Sequence, residues 1–163
     1  DECAGYLQKA INLLKSQTAA SDSSEGTLKV IITVSPIRYA KYGYHGSQLS
    51  KATLLLAADK LVKENPGVVS YFPAYEIMND ELRDYRFYKE DMLHPSQQAV
   101  DYIWERFRAT YFGKAAELFL EDWRPIREAL GHKPFHPESE EHQKFIARTE
   151  EKKRQFEEKY HLL

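Results

Sequence analysis

The sequence contains only one cysteine, Cys3, in its 163 residues. An internal disulfide and a zinc site built from cysteines are therefore excluded, and a lone thiol favours a cytoplasmic compartment. The chain also lacks a charge excess: its formal net charge of −2 gives no indication of a nucleic-acid surface. No apolar run is long enough to span a membrane. Because the chain begins without Met and within a predicted helix, we expect it to be part of a longer protein.

Apolar and aromatic residues are abundant. The apolar fraction of 42% and the charged fraction of 29% are typical of a globular domain, and the length suffices for a core. Aromatic residues make up 13% of the chain. This proportion indicates large buried side chains with polar tips, and it is also compatible with a surface that binds carbohydrate.

Two β-branched runs with a helical pattern between them predict a parallel sheet. Residues 28–34 are almost continuously apolar, which predicts a strand buried on both faces. Residues 48–64 predict an amphipathic helix with Ser47 or Ser50 as its cap, and residues 68–72 predict a second strand. Strand, helix and strand in this order form one crossover unit, so the sequence predicts an α/β fold.

Helical periodicity marks the remaining segments, apart from a predicted loop at residues 16–27 that is rich in Ser, Ala and Thr. Pro125 is expected to kink or split the helix that contains it. The last helix is charged with a thin apolar stripe, and we expect it to lie on the domain or on a second chain. These patterns predict an α/β domain at 1–131 and a charged helical extension at 132–163. The predicted helices are 2–15, 97–111, 114–130 and 138–160.

Asp91 and His94 lie three positions apart, just before a predicted helix. A carboxylate at this spacing can accept the Nδ1–H of the imidazole, fix its tautomer and leave Nε2 free as a general base. The same spacing also occurs in surface turns that have no chemistry. Ser96 is expected to cap the following helix rather than to act as a nucleophile. The motif therefore supplies a base and its partner, but no nucleophile.

Other polar residues give weaker indications. Arg38 follows the first predicted strand, where open α/β sheets bind ligands, and it could bind an anionic or carbonyl group or pair with a carboxylate. A metal site at His45, Asp91 and His94 is a further alternative. We expect no cofactor. A metal at His132, His136 and His142 is not expected either, because no carboxylate lies at a diagnostic spacing from these histidines.

Five stretches carry a further signal, and the last three are the most specific: Thr33–Arg38, Ser50–Leu54, Tyr71–Ile77, Asp80–Tyr88 and Asp91–Ser96. Together they resemble the bacterial GSCFA family, which lies within the SGNH/GDSL-like hydrolases. The resemblance covers about residues 28–110, and the residues after about 112 fall outside it.

The resemblance implies a flavodoxin-like parallel-sheet sandwich, with additional C-terminal helices in this chain. It also implies a serine esterase that acts on an acyl or acetyl ester of a small molecule or a glycan, with His94 as general base and Asp91 orienting it. The Gly-Ser-Cys-Phe sequence that names the family, presumed to hold the nucleophile, does not occur here. The chain is therefore expected to be the C-terminal half of such an enzyme. The alternative is a binding or structural module without catalysis on the same scaffold.

The same resemblance assigns the predicted strands 28–34 and 68–72 as the fourth and fifth of five. One edge of strand 28–34 then lacks its neighbour in this chain. Because an open apolar edge can pair with another chain, we expect self-association through this edge or through the C-terminal helix.

Overall fold

The structure is a computed structural model that describes residues 2–20 and 28–162. The described chain is α/β and mostly helical, with a two-stranded parallel sheet. It divides into two compact units between Phe107 and Arg108. The predicted domain boundary at residue 131 stays a prediction, because compact units need not coincide with domains. In the described part of the chain, every helix is too short or too polar to span a bilayer.

The secondary structure follows the predicted order. The helices are α1 (Glu2–Ala20), α2 (Gly43–Glu64), α3 (Ala74–Glu76), α4 (Gln97–Tyr111), α5 (Lys114–Gly131) and α6 (Glu140–Lys159). The strands are β1 (Val30–Thr33) and β2 (Val69–Phe72). Three short turns complete the described elements: two 3-10 turns at Ala40–Tyr42 and Tyr85–Phe87, and a π-helical turn at Ile77–Glu81.

The predicted crossover unit is confirmed. β1 and β2 are parallel, with Val30 opposite Val69 and Thr33 opposite Phe72, and α2 connects them. The prediction that the first strand is buried on both faces is wrong, because Ile31 is 40% exposed. Successive side chains of a strand point to opposite faces: Val30 and Ile32 of β1 pack against the core cluster, whereas Ile31 lies on the opposite face.

The core of the first unit joins α1, α2 and the sheet. Ile11, Leu61 and Val69 form a buried cluster, and Leu61 has no exposed surface. Asn65, at the end of α2, reinforces it: its side-chain amide donates to the Leu61 carbonyl at 2.9 Å and to Gln8 of α1 at 2.7 Å. Apolar burial therefore joins α1, α2 and the sheet, and a satisfied polar contact adds a second link between α1 and α2.

Two predicted helix starts or ends differ from the structure. α1 continues to Ala20, because the hydroxyl groups of Ser16 and Thr18 donate to carbonyls of their own helix instead of breaking it. The rest of the predicted loop, 21–27, lies outside the described residues. α2 already begins at Gly43, directly after a 3-10 turn, so the prediction that Ser47 or Ser50 caps it is wrong.

The second unit is built from α5 and α6. Phe156 of α6 packs against Phe119 and Trp123 of α5, with ring centroids 4.9 and 5.2 Å apart. The prediction that Pro125 could split its helix is wrong, since α5 runs through it to Gly131. The buried side chain of Ile126, next to Pro125, is 4% exposed. Such packing can outweigh one lost backbone hydrogen bond. Within this unit α6 therefore lies on α5.

Candidate functional site

Asp91 and His94 meet in a closed turn. One carboxylate oxygen of Asp91, Oδ1, accepts the backbone N–H groups of Leu93 at 2.9 Å and His94 at 3.0 Å. The other oxygen, Oδ2, lies 2.6 Å from Nδ1 of His94. Met92, between them, has a φ of 59°, in the left-handed region that non-glycine residues seldom adopt. The backbone of the turn thus fixes the carboxylate while the carboxylate fixes the imidazole.

The environment of the turn keeps Asp91 charged. The N–H groups of His94 and Leu93, followed by the His94 ring, lower the pKa of Asp91 to about 2. A carboxylate is a hydrogen-bond acceptor, so at neutral pH it favours the tautomer of His94 that carries its proton on Nδ1. The His94 side chain is 51% exposed, and its Nε2 forms no hydrogen bond with the described residues. Nε2 is therefore available to an incoming hydroxyl group.

Neighbouring backbone bonds hold the turn in place. Lys89 N donates to the His94 carbonyl at 2.8 Å, and Ser96 N donates to the Phe87 carbonyl at 2.7 Å. Directly after the turn, Ser96 Oγ accepts the N–H of Ala99 at 3.3 Å. The prediction that Ser96 caps α4 is confirmed.

Arg38 is brought to the same turn from the loop that follows β1. Its backbone N–H donates to the Leu93 carbonyl at 3.0 Å, and its guanidinium Nη1 donates to the Met92 carbonyl at 3.2 Å. The guanidinium also lies over three tyrosine rings, with centroid distances of 5.1 to 5.9 Å, which belong to Tyr44, Tyr85 and Tyr88. No described carboxylate pairs with Arg38, so the expected ion pair is not formed. The structure thus assembles all three predicted site residues, and substrate binding by Arg38 stays a prediction.

A pocket of about 260 Å³ lies beside Arg38, and sequence reasoning missed its most unusual residue. Lys51 of α2 lines this pocket and is only 8% exposed. Its ammonium donates to the Ser35 carbonyl at 2.6 Å and lies over the Tyr75 ring at 5.9 Å. Burial lowers the pKa of Lys51. The signal in the sequence was a lysine seven positions before the buried Ala58, on the apolar face of the helix.

The histidines do not form a metal site in the described residues. No group of three or more His, Cys, Asp or Glu side chains there is arranged to hold an ion, so the alternative triad with His45 is not assembled. In the second unit, the rings of His132 and His142 lie 5.6 and 6.3 Å from the ring of Phe145. Their observed role there is aromatic packing.

The titration of Asp91 gives a direct test of the turn. Because folding lowers the pKa of this carboxyl, its contribution to stability is complete above the unfolded value of about 3.9. This contribution is lost as the pH falls through about 2. We expect the Cγ resonance of Asp91 to titrate with a midpoint near 2 in an NMR series. In His94→Ala the midpoint should rise but stay below the ordinary value, since both N–H bonds remain. An ordinary midpoint in the wild type would contradict the geometry.

Comparison with known proteins agrees with the family resemblance. The family model of the GSCFA family matches residues 2–107, and that of the GSCFA domain protein, C-terminal domain, matches residues 123–163. No curated protein and no solved structure gave a significant match. The expectation that the residues after about 112 fall outside the resemblance is therefore wrong, because residues 123–163, from the second half of α5 through α6, carry a second match. The chain belongs to the GSCFA family.

Proposed function

We propose that this chain is part of a serine ester hydrolase of the SGNH/GDSL-like type and supplies its general base. The observation that carries the proposal is the 2.6 Å contact between Asp91 Oδ2 and His94 Nδ1, with Nε2 left free. A serine hydroxyl is a weak nucleophile at its own pKa and needs a base within hydrogen-bond reach. Among the described residues, the pair Asp91–His94 has the geometry of a base with its orienting partner.

In the proposed acyl transfer, His94 and Asp91 have separate roles. His94 Nε2 takes the proton of the serine hydroxyl as its oxygen attacks the ester carbonyl, and the Asp91 carboxylate stabilises the imidazolium that forms. His94 then returns the proton to the leaving alkoxide, which leaves an acyl group on the serine. A water molecule, deprotonated by His94 in the same way, attacks this acyl-enzyme and releases the acid. The nucleophile and the oxyanion donors come from residues outside this chain. The substrate is an acyl or acetyl ester of a small molecule or a glycan.

The proposal includes a flavodoxin-like sandwich for the longer protein. Its support is the parallel β1–α2–β2 unit, with the Arg38 loop following the carboxyl end of β1. β1 and β2 are then the fourth and fifth strands, and a third strand from outside the chain pairs with the open edge of β1. Among residues 2–20 and 28–162, β1 pairs with β2 alone.

An open edge makes self-association the expected behaviour of the chain by itself. We expect light scattering after size-exclusion chromatography to give a mass above that of the monomer. Ile31→Lys, which places a charge on β1, should shift the chain towards monomer. Leu56→Lys adds the same charge at a 72% exposed position of α2 and serves as the control. A monomeric mass for the wild type contradicts the prediction.

Hydrolysis of p-nitrophenyl acetate by the full-length protein tests the proposed function. This ester has a good leaving group and needs little specific binding, so it reports on the acyl-transfer machinery itself. Turnover above the rate in buffer, lost on treatment with a serine-directed phosphonylating reagent, supports the proposal. A folded full-length protein that hydrolyses neither this ester nor longer acyl esters contradicts it.

A further inference from the structure

The ammonium of Lys51 is buried with too few partners. A lysine ammonium carries three N–H donors, and in the described residues Lys51 has one acceptor, the Ser35 carbonyl, together with the face of the Tyr75 ring. The residue is 8% exposed and forms no ion pair with a described carboxylate. A buried cation without a counterion is costly, and proteins usually pair it. An anion that enters the pocket would supply the counterion that the described residues do not.

The charged residues around the pocket also favour an anionic ligand. Arg38, Lys51 and Arg83 line it, whereas Asp84 is its one acidic lining residue. The Asp84 carboxylate already accepts the backbone N–H of Arg86 at 2.9 Å and lies 3.6 Å from its guanidinium. The described residues offer neither Arg38 nor Arg83 an ion pair. The pocket therefore carries an excess of positive side chains, although the net charge of the chain is −2.

The aromatic and apolar residues that line the pocket indicate that the ligand also has an organic body. Tyr75, Tyr85 and Tyr88 contribute aromatic surface, and the buried Met78 and Leu82 contribute apolar surface. A pocket with an apolar body and a few convergent polar groups is typical of sites for small organic molecules. A bare inorganic ion would leave these walls without contact.

We propose that this pocket binds a small organic molecule through its anionic group, a carboxylate or a phosphate, with Lys51 and Arg38 as the cationic contacts. The Lys51 ammonium acts as a point charge that donates to one oxygen of the anion. The Arg38 guanidinium, held over its tyrosines, contributes the second positive charge. The proposal does not depend on catalysis by His94.

NMR titration of the purified protein with three matched probes tests the proposal. The probes are phenylacetate, phenyl phosphate and benzyl alcohol, which share an aromatic body and differ in charge. We expect at least one anion to shift the amide resonances of the pocket and the neutral alcohol to leave them unchanged. The anion that binds more tightly identifies the group as carboxylate or phosphate. Raising the salt concentration should weaken binding.

Variants locate the effect at Lys51. Lys51→Met keeps the length of the side chain and should weaken anion binding by about 10-fold or more, in line with the loss of a charge-assisted hydrogen bond. Lys63→Met makes the same change on an exposed part of α2 and should leave affinity unchanged. If Lys51→Met does not fold, Arg83→Gln, at an exposed position, should weaken binding several-fold.

Two results would overturn the proposal. One is that neither anion binds the folded protein at concentrations of about 20 mM, far above the range in which such sites act. The other is that benzyl alcohol binds as tightly as the anions and Lys51→Met changes nothing. Lys51 would then serve only to tie α2 to the loop after β1 through the Ser35 carbonyl.

Discussion

Replacing His94 by Ala in the full-length protein is expected to lower kcat/KM for p-nitrophenyl acetate by about 100-fold or more. Removal of a positioned general base typically costs between two and four orders of magnitude. We expect a loss in this range because the Asp91 carboxylate lies 2.6 Å from Nδ1 of His94, and no other described histidine has such a partner. The measurement is initial-rate kinetics near neutral pH, with folding verified by circular dichroism.

His45→Ala is the matched control for this experiment. His45 lies in the same unit at an exposed position of α2, so its removal should leave kcat/KM within a factor of about two. An equal loss in both variants would favour the metal-dependent alternative. Full activity in His94→Ala would show that another group is the base.

Leu61→Ala is expected to destabilise the protein by about 2–5 kcal/mol, the range for large-to-small changes in a packed core. Leu61 has no exposed surface and lies between Ile11 of α1 and Val69 of β2. The cavity would therefore loosen the contact between two helices and the sheet. Urea denaturation followed by circular dichroism measures the change.

Leu56→Ala provides the comparison for the core. This leucine belongs to the same helix but is 72% exposed, so we expect a change of about 0.5 kcal/mol or less. Equal destabilisation by the two variants would mean that α2 faces the core differently from the structure. The contrast also matters for the site, because α2 carries Lys51 and the Leu61 contacts fix its position.

Local features of the fold were predictable from the sequence. The β-branched runs at residues 28–34 and 68–72, with a periodic helix between them, predicted the parallel β1–α2–β2 unit. The Asp91–His94 contact was predictable for the same reason, since three-residue spacing brings the two side chains together within one turn. Periodicity and spacing predict contacts between residues that are close together along the chain.

Long-range contacts to the backbone were not predictable. Arg38 donates to the Met92 carbonyl, 54 positions away, and Lys51 donates to the Ser35 carbonyl. Every residue has a carbonyl, so such a bond leaves no mark on the type of residue that accepts it. The role of Arg38 in holding the turn and the buried charge of Lys51 therefore emerged only from the fold.

The predictions of helix ends and of strand exposure were wrong for a different reason. Ser16 and Thr18 favour loops on average, but their hydroxyl groups bond within α1, and this local choice is decided by geometry rather than composition. The continuous apolar run of β1 predicted burial on both faces, whereas Ile31 is 40% exposed in the described chain. The apolar pattern of β1 is typical of a strand with both faces covered. In the proposed sandwich, residues outside this chain would cover the face that carries Ile31.

The tautomer of His94 shows whether Asp91 orients this ring as a general base. A long-range ¹H–¹⁵N correlation spectrum at about pH 8.5, where an ordinary imidazole is neutral, distinguishes a protonated from an unprotonated ring nitrogen. We expect a proton on Nδ1 and none on Nε2 in the wild type, and loss of this preference in Asp91→Asn. A wild-type ring with its proton mainly on Nε2 would contradict the assignment of His94 as a general base oriented by Asp91.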